Sequence, residues 1–196
     1  MNKVIIMILL LIIPLLNLNS QSISVDRIEK DGKHQIMTNT KDFFVDGRNY
    51  SFGMKVFETE TKIDWLLLIS SKYNISNSSE VLLKLENDEI LYLPVNNVHI
   101  AKIKKPAYGI TFGNVTTFHP EKEVDYYYSS VYVLNESDMD KIDTYGIKKI
   151  RISDGVKMRD KTYTNNPLGK YLTKCRKIII KRLENPKNYQ NLFDNF

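Results

Sequence analysis

From residue 25 to residue 134 the chain is a succession of short strand patterns separated by turn residues. Apolar and polar residues alternate in Ser51–Glu58, where Phe52, Met54 and Val56 fall on one face. The segment Asp64–Ser70 is instead a continuous apolar run, which is typical of a strand buried on both faces. The strand patterns lie at Val25–Glu29, His34–Thr38, Ser51–Glu58, Asp64–Ser70, Glu80–Glu86, Glu89–Val95, Val98–Lys104, Tyr108–Phe112, Val124–Leu134 and Ile147–Ser153.

Two of the connections between these segments predict antiparallel hairpins. Residues 30–33, Lys-Asp-Gly-Lys, carry a glycine turn signal between the first two patterns. Asn87 and Asp88 form the clearest hairpin signal, since both residue types tolerate the positive φ that a tight turn requires. Short hairpin connections favour a mainly antiparallel sheet.

A first helix is predicted between Asn135 and Gly146. Asn135 is a suitable N-cap, Asp138 lies in the first turn, and the glycine ends the helix. We expect Met139, Ile142 and Tyr145 to form its buried side.

A second helix is predicted at the C-terminal end, after a polar loop at residues 154–165. Asn165 or Asn166 caps it, Pro167 lies in its first turn, and Asn185 followed by a proline stops it. Its apolar residues recur at steps of three and four, and we expect them to face the core. They are Leu168, Tyr171, Leu172, Cys175, Ile178, Ile179 and Leu183.

Together these patterns predict an α+β fold. We expect a mainly antiparallel sheet, curled or sandwich-like, with a short helix and with the C-terminal amphipathic helix packed on it. Residues 21–196 are long enough for one such domain, and the tail at 185–196 is polar enough to fray.

The first residues of the chain have the pattern of a secretory signal peptide. Lys3 precedes the apolar run Val4–Leu16, which is shorter than the ~20 residues of a membrane span. Cleavage is predicted after Ser20 or after Ser22, and an uncleaved anchor is the alternative. We therefore set residues 1–20 apart from the fold and predict export, to the periplasm, the outer envelope or the medium.

Cys175 is the single cysteine of the chain, so no disulfide within the chain can form. Small secreted domains of eukaryotes usually rely on disulfides, which favours a bacterial exported protein held together by packing. Because this cysteine lies on the apolar stripe of the last helix, we interpret it as a buried structural thiol.

The positive charge is concentrated towards the C-terminal end. Residues 141–196 contain fourteen Lys or Arg against five Asp or Glu, whereas residues 21–140 contain thirteen against eighteen. Four lysines of the last helix share one face, flanked by arginines, and are an anion-binding candidate: Lys170, Lys174, Lys177 and Lys181. A face that simply meets water is the other interpretation, and nucleic acid is not an expected ligand because no binding motif is present.

The tyrosine run on the last long strand is a candidate aromatic binding face. Tyr126, Tyr128 and Tyr132 fall on one side of the strand and Tyr127 on the other. Such tyrosines bind sugars or peptides, but they also fill half-exposed sheet faces without binding anything.

The sequence has no catalytic, cofactor or metal-binding motif. His34, His99 and His119 are far apart along the chain, and only the last has acidic neighbours, at Glu121 and Glu123. We therefore predict no cofactor and no metal, and leave open a small hydrolase whose site is assembled from distant residues.

Two segments resemble the C-terminal part of small exported proteins of Bacteroidetes: residues 132–155, YVLNESDMDKIDTYGIKKIRISDG, and residues 166–183, NPLGKYLTKCRKIIIKRL. That group has no assigned activity, so the resemblance implies an envelope location and no specific function. Our leading hypothesis is a non-catalytic envelope protein that binds another envelope or extracellular protein. Binding of anionic lipid or glycan through the lysine face is the alternative.

Overall fold

The fold is taken from a computed structural model, which describes residues 22–103, 108–112, 115–119, 125–154 and 156–185. The predicted signal peptide, Lys104 and the tail after residue 185 lie outside these ranges. The strands are β1 (Ile23–Ile28), β2 (His34–Thr38), β3 (Lys41–Val45), β4 (Arg48–Glu58), β5 (Ile63–Ser71), β6 (Glu80–Leu85), β7 (Ile90–Ile103), β8 (Tyr108–Phe112), β9 (Val115–His119), β10 (Asp125–Leu134), β11 (Ile147–Ser153) and β12 (Met158–Thr162). The helices are α1 (Glu136–Tyr145) and α2 (Pro167–Glu184).

Ten of the strands form one antiparallel sheet. Its order is β1-β2-β4-β5-β10-β7-β6-β11-β12, and β3 pairs with the other half of β4 beside β2. The strands β8 and β9 form a separate hairpin between β7 and β10. The sheet curls so that β12 lies near β3, where Arg159 contacts Asp46 at 3.2 Å. The predicted α+β class, with an antiparallel sheet and a C-terminal helix, is confirmed.

The hydrophobic core lies between the concave side of the sheet and the two helices. Phe52, Met54 and Val56 of β4 are buried on one face, as their alternation predicted. In β5 the residues of both faces are largely buried, and Leu66 and Leu67 illustrate the two sides. The turn between β6 and β7 contains Asp88 at φ 66°, as expected for this hairpin.

The C-terminal helix α2 completes the core. Leu168, Tyr171, Leu172, Cys175 and Ile179 are buried, while the outer members of the predicted stripe, Ile178 and Leu183, are half-buried. The hydroxyl of Tyr171 lies 2.7 Å from the carbonyl oxygen of Asn39 and 2.9 Å from that of Phe52. The helix is therefore fixed to β4 by polar as well as apolar contacts.

The short helix α1 is capped as the sequence predicted. Asn135 accepts a hydrogen bond from the backbone N–H of Asp138, whose side chain in turn accepts one from the N–H of Asn135. Met139 and Ile142 are buried, but Tyr145 is exposed, so its predicted burial is wrong. The buried stripe continues to Gly146, four residues after Ile142, which turns the tyrosine away from the core.

The strands differ from the sequence prediction in three places. The polar segment Met158–Thr162 was predicted as loop but pairs with β11, because Arg151 binds Asp160 across the two strands. The turn at Asp46 and Gly47, with φ values of 43° and 77°, creates a β3–β4 hairpin that is absent from the sequence prediction. The two predicted strands at Glu89–Val95 and Val98–Lys104 are one continuous strand, β7, with an irregularity opposite Val131.

Candidate functional site

The four lysines of the predicted anion-binding face all lie on the solvent side of α2. Each is exposed, and within the described ranges none has an ion pair or a side-chain hydrogen bond. Because the opposite side of α2 is buried in the core, the helix cannot also insert its apolar residues into a membrane. The members of this basic face are Lys170, Lys174, Lys177 and Lys181.

The two arginines beside this face have a different role. Arg176 is nearly buried, binds Asp140 and Asp143 at 2.7 Å each, and lies 6.0 Å from the ring centroid of Trp65. Arg182 binds Asp26 of β1. The arginines therefore tie α2 to α1 and to the sheet, and the acidic groups that contact this helix are engaged by them.

The predicted tyrosine face is only partly exposed. Tyr126 is 46% exposed and its ring centroid lies 6.5 Å from that of half-buried Tyr128. Tyr132 is completely buried, and burial raises the pKa of its hydroxyl to about 12. The face that these residues share turns into the core along β10, so Tyr132 cannot belong to a binding surface and only the first two tyrosines remain candidates.

The most open part of the sheet lies along β7. This strand has fourteen residues, but β6 pairs only with residues 90–94 of it. From Val95 to Ile103 it pairs with β10 on one side, and no described strand pairs with it on the other. We call the unpaired side of Val95–Ile103 the open edge.

Beyond the core, β7 and β10 continue as a two-stranded ribbon. The pairing of β10 with β5 ends at Tyr128, whereas its pairing with β7 continues to Asp125. Two large apolar residues of this ribbon are exposed: Ile100 at 59% and Tyr126 at 46%. The sequence pattern predicted strands here, but the choice of partner strands, and hence the open edge, depends on contacts between distant residues.

His34 and His99, the two histidines whose side chains the structure describes, lie on separate parts of the sheet. His34 lies between Asp26, 2.8 Å from its Nε2 atom, and Glu58, 2.9 Å from its Nδ1 atom. Both ring nitrogens are therefore engaged, which leaves neither available as a general base. His99 is exposed on β7, four strands away in the sheet, and the side chain of His119 lies outside the described part of the structure.

The described residues contain no group of three or more His, Cys, Asp or Glu side chains arranged to hold a metal ion. None of the described helices combines the length and the apolar character needed to cross a membrane. Cys175 is buried within 3.6 Å of the Thr38 hydroxyl, and burial raises the pKa of its thiol, as expected of a structural cysteine.

Comparison with known protein families, with characterised proteins and with solved structures gave no match.

Proposed function

We propose that the protein is an exported, non-catalytic protein of the bacterial envelope that binds another protein through the open edge of β7. The observation that carries the proposal is the length of β7, nine residues of which pair on one side only with the strands that the structure describes. An unpaired edge presents a row of backbone N–H and C=O groups, to which an extended segment of a partner can add as a further strand.

The side chains of the ribbon support this mode of binding. Ile100 and Tyr126 are exposed apolar groups on adjacent strands, and the polar residues Asn97 and Lys102 of β7 are also exposed. In strand addition the backbone hydrogen bonds supply affinity, while alternate side chains supply specificity. A ribbon with an unpaired backbone edge and exposed apolar side chains suits an extended protein segment as its partner.

Protected edges are the norm in exported proteins that stay monomeric. Natural sheets shield an edge with charged side chains, prolines or short strands. Pro94 stands where the pairing with β6 ends, but Val95–Ile103 carries a single charged residue among those whose side chains are described, Lys102. The open edge is thus poorly shielded, which favours a partner that covers it.

The first experiment is photo-crosslinking in the native cells. The full-length protein carries p-benzoylphenylalanine in place of Tyr126, and a matched control carries it in place of Tyr145, which is exposed on α1. A single protein adduct that forms at position 126 and not at position 145 supports the proposal. Adducts of equal yield at both positions, or an adduct at neither, would overturn it.

Two proline variants test whether the backbone edge itself binds. In an antiparallel pair, neighbouring residues direct their N–H groups alternately towards the partner strand and away from it. Of His99→Pro and Ile100→Pro, one therefore removes a ladder bond to β10 and the other only an outward N–H. The variant that keeps the thermal stability of the wild type should lose the adduct, and full retention of the adduct in that variant would contradict strand addition.

Export is tested separately, by N-terminal sequencing of the protein recovered from cell fractions. The proposal expects a mature chain that begins at Gln21 or Ile23, in the periplasm, the outer envelope or the medium. A chain that begins at Met1 in the cytoplasmic fraction would contradict it.

The basic face of α2 favours a second candidate function, the binding of anionic lipid or glycan. Its four lysines lack ion-pair partners within the described ranges, whereas Arg176 and Arg182 of the same helix are bound to Asp140, Asp143 and Asp26. Exposed charges of this kind attract anionic surfaces, and salt screens the attraction. The fraction of the protein that sediments with phosphatidylglycerol vesicles should fall when salt is added. It should also fall in the double variant Lys174→Glu and Lys177→Glu. Equal sedimentation with phosphatidylcholine vesicles would contradict this second function.

A further inference from the structure

A second surface feature, independent of the open edge, lies on the convex side of the sheet. It is a cavity of about 400 Å³ at the end of the β3–β4 hairpin, closed on one side by the segment that follows β5. The residues that line it are Asp42, Phe44, Gly47, Asn49, Ser51, Ser71, Lys72, Tyr73 and Tyr127. None of them belongs to the basic face or to the exposed apolar pair of the ribbon.

Aromatic rings form part of the walls. Phe44 is 57% exposed and Tyr73 is 37% exposed, although both are large apolar side chains beside a well-packed core. The Tyr73 ring is held in place, since the guanidinium of Arg48 lies over it at 4.2 Å and the Tyr50 ring lies 6.3 Å away. Its backbone N–H donates to the Ser71 hydroxyl at 3.1 Å, which fixes the chain at the same point.

Polar groups lie between the rings at the base of the cavity. The Ser51 hydroxyl donates to Asp42 Oδ1 and lies 3.4 Å from the Tyr127 hydroxyl, so a hydrogen-bonded row crosses from β3 to β10. The carboxamide of Asn49 and the second oxygen of Asp42 have no hydrogen-bond partner among the described residues, and both side chains are exposed. These groups are available to a ligand.

The charges of the lining residues give neither anions nor cations a net preference. Asp42 and Lys72 are the acidic and basic residues of the lining, and their charges cancel. An anion that Lys72 attracts is repelled by Asp42, and the reverse holds for a cation. The lining thus combines exposed rings, hydroxyls, a carboxamide and a carboxylate with zero net charge.

We propose that this cavity binds a neutral saccharide. A sugar ring has an apolar face of C–H groups, which packs on Phe44 and Tyr73, and an edge of hydroxyls, which bond to Asp42, Asn49 and Ser51. Pockets of this volume hold ligands of one or two sugar units, and a few fixed polar groups set their orientation. Because Tyr73 and Ser51 already have partners that hold them, the ordering cost of binding is low.

The proposal goes beyond the strand-addition function and does not depend on it. The cavity faces outward from β3, β4 and the end of β5, whereas the open edge belongs to β7. Loss of the protein partner would leave saccharide binding intact, and the reverse also holds.

The test is affinity electrophoresis of the native protein in gels that contain a neutral polysaccharide. The panel consists of dextran, laminarin, galactomannan and xyloglucan, with polygalacturonate and heparin as anionic probes. We expect slower migration in at least one neutral gel, and a loss of about tenfold in affinity for Tyr73→Ala and for Phe44→Ala. Tyr145→Ala is the matched control, since it removes an equally exposed tyrosine from α1.

Each outcome decides the proposal. Slower migration in a neutral gel that the two cavity variants abolish and the control retains would establish the site. Unchanged migration in all four neutral gels would overturn it, as would retardation only by heparin or polygalacturonate, which would assign binding to the basic face. Asn49→Ala keeps the test valid if an aromatic variant unfolds, since the Asn49 side chain is exposed and has no described hydrogen bond.

Discussion

The side chain of Asn166 fills the space beside Gly146 that a Cβ atom would occupy in any other residue type. A Cβ added to Gly146 would lie 2.1 Å from Asn166 Nδ2. The Oδ1 atom of the same carboxamide accepts hydrogen bonds from the N–H of Ile147 at 2.7 Å and from that of Gly169 at 3.0 Å. One asparagine thus joins the end of α1, the start of β11 and the first turn of α2.

This contact predicts that Gly146→Ala is strongly destabilising. Gly146 has φ 76° and ψ 174°, a conformation that is essentially restricted to glycine, and the new methyl group would displace the Asn166 cap. We expect the free energy of unfolding to fall by about 3 kcal/mol in urea denaturation. The control is Gly47→Ala, which has φ 77° but open space around the added Cβ, and equal losses in the two variants would contradict the role of Asn166.

The ion pair of Arg151 and Asp160 predicts a stability that depends on pH. Hydrogen bonds to Arg151, together with Lys149, hold the pKa of Asp160 well below its usual range. Because the pKa of Asp160 is lower in the folded state than in the unfolded state, the ion pair contributes fully to the free energy of unfolding above about pH 5. This contribution is lost as the pH falls below about 4.

We expect Asp160→Asn to lower the free energy of unfolding by about 1 kcal/mol at pH 7, since the pair is partly exposed. The difference from the wild type should shrink as the pH falls towards 3. Urea denaturation at several pH values measures it, with Asp64→Asn as a control that removes an exposed pair with Lys62. A difference that stays constant over this range would contradict the assignment.

Replacing an exposed lysine of α2 should change the stability much less than replacing its nearly buried arginine. Lys177 is exposed without an ion pair in the described structure, so Lys177→Glu should change the free energy of unfolding by less than about 0.5 kcal/mol. Arg176→Ala should lower the free energy of unfolding by about 2 kcal/mol, because it leaves Asp140 and Asp143 without their charged partner and removes packing against Trp65. Thermal unfolding checks both, and a large effect of the lysine variant would show that this face is structural.

Cys175 should be unreactive in the folded protein. Its side chain is buried, and burial raises the pKa of its thiol, which lowers the fraction of reactive thiolate. We expect the disulfide reagent DTNB to label it only in urea, at the rate of global unfolding. Rapid labelling of the native protein at pH 8 would show that the thiol is accessible.

The sequence predicted the elements whose patterns are local. The apolar stripe of α2, the capping box at Asn135 and the turn at Asp88 are each set by residues within a few positions of one another. The sequence could not predict β12, because its pairing depends on a charge contact between Arg151 and Asp160 rather than on apolar alternation. Asp46 and Gly47 are, by contrast, a local turn signal in the sequence, and they join β3 to β4.

The candidate sites also divide into features that follow from a local pattern and features that depend on contacts between distant residues. The exposure of the four lysines on α2 follows from helical periodicity. The burial of Tyr132 does not follow from the strand pattern, because the packing of β10 between β5 and β7 decides which of its faces is the inner one. The cavity at Tyr73 joins four separate parts of the chain, so no local pattern could indicate it.

The position of α2 in the chain has a consequence for how the protein is made. The inner faces of β2 and β4 are covered by α2, the last described helix. They therefore stay exposed to water until Leu168 and the residues after it have left the ribosome. Folding is therefore a late event, not one that proceeds strand by strand during synthesis. A nascent chain in this condition stays loosely structured, and a nonsense mutation a few codons before Leu168 should yield a polypeptide that proteases degrade rather than a smaller stable protein.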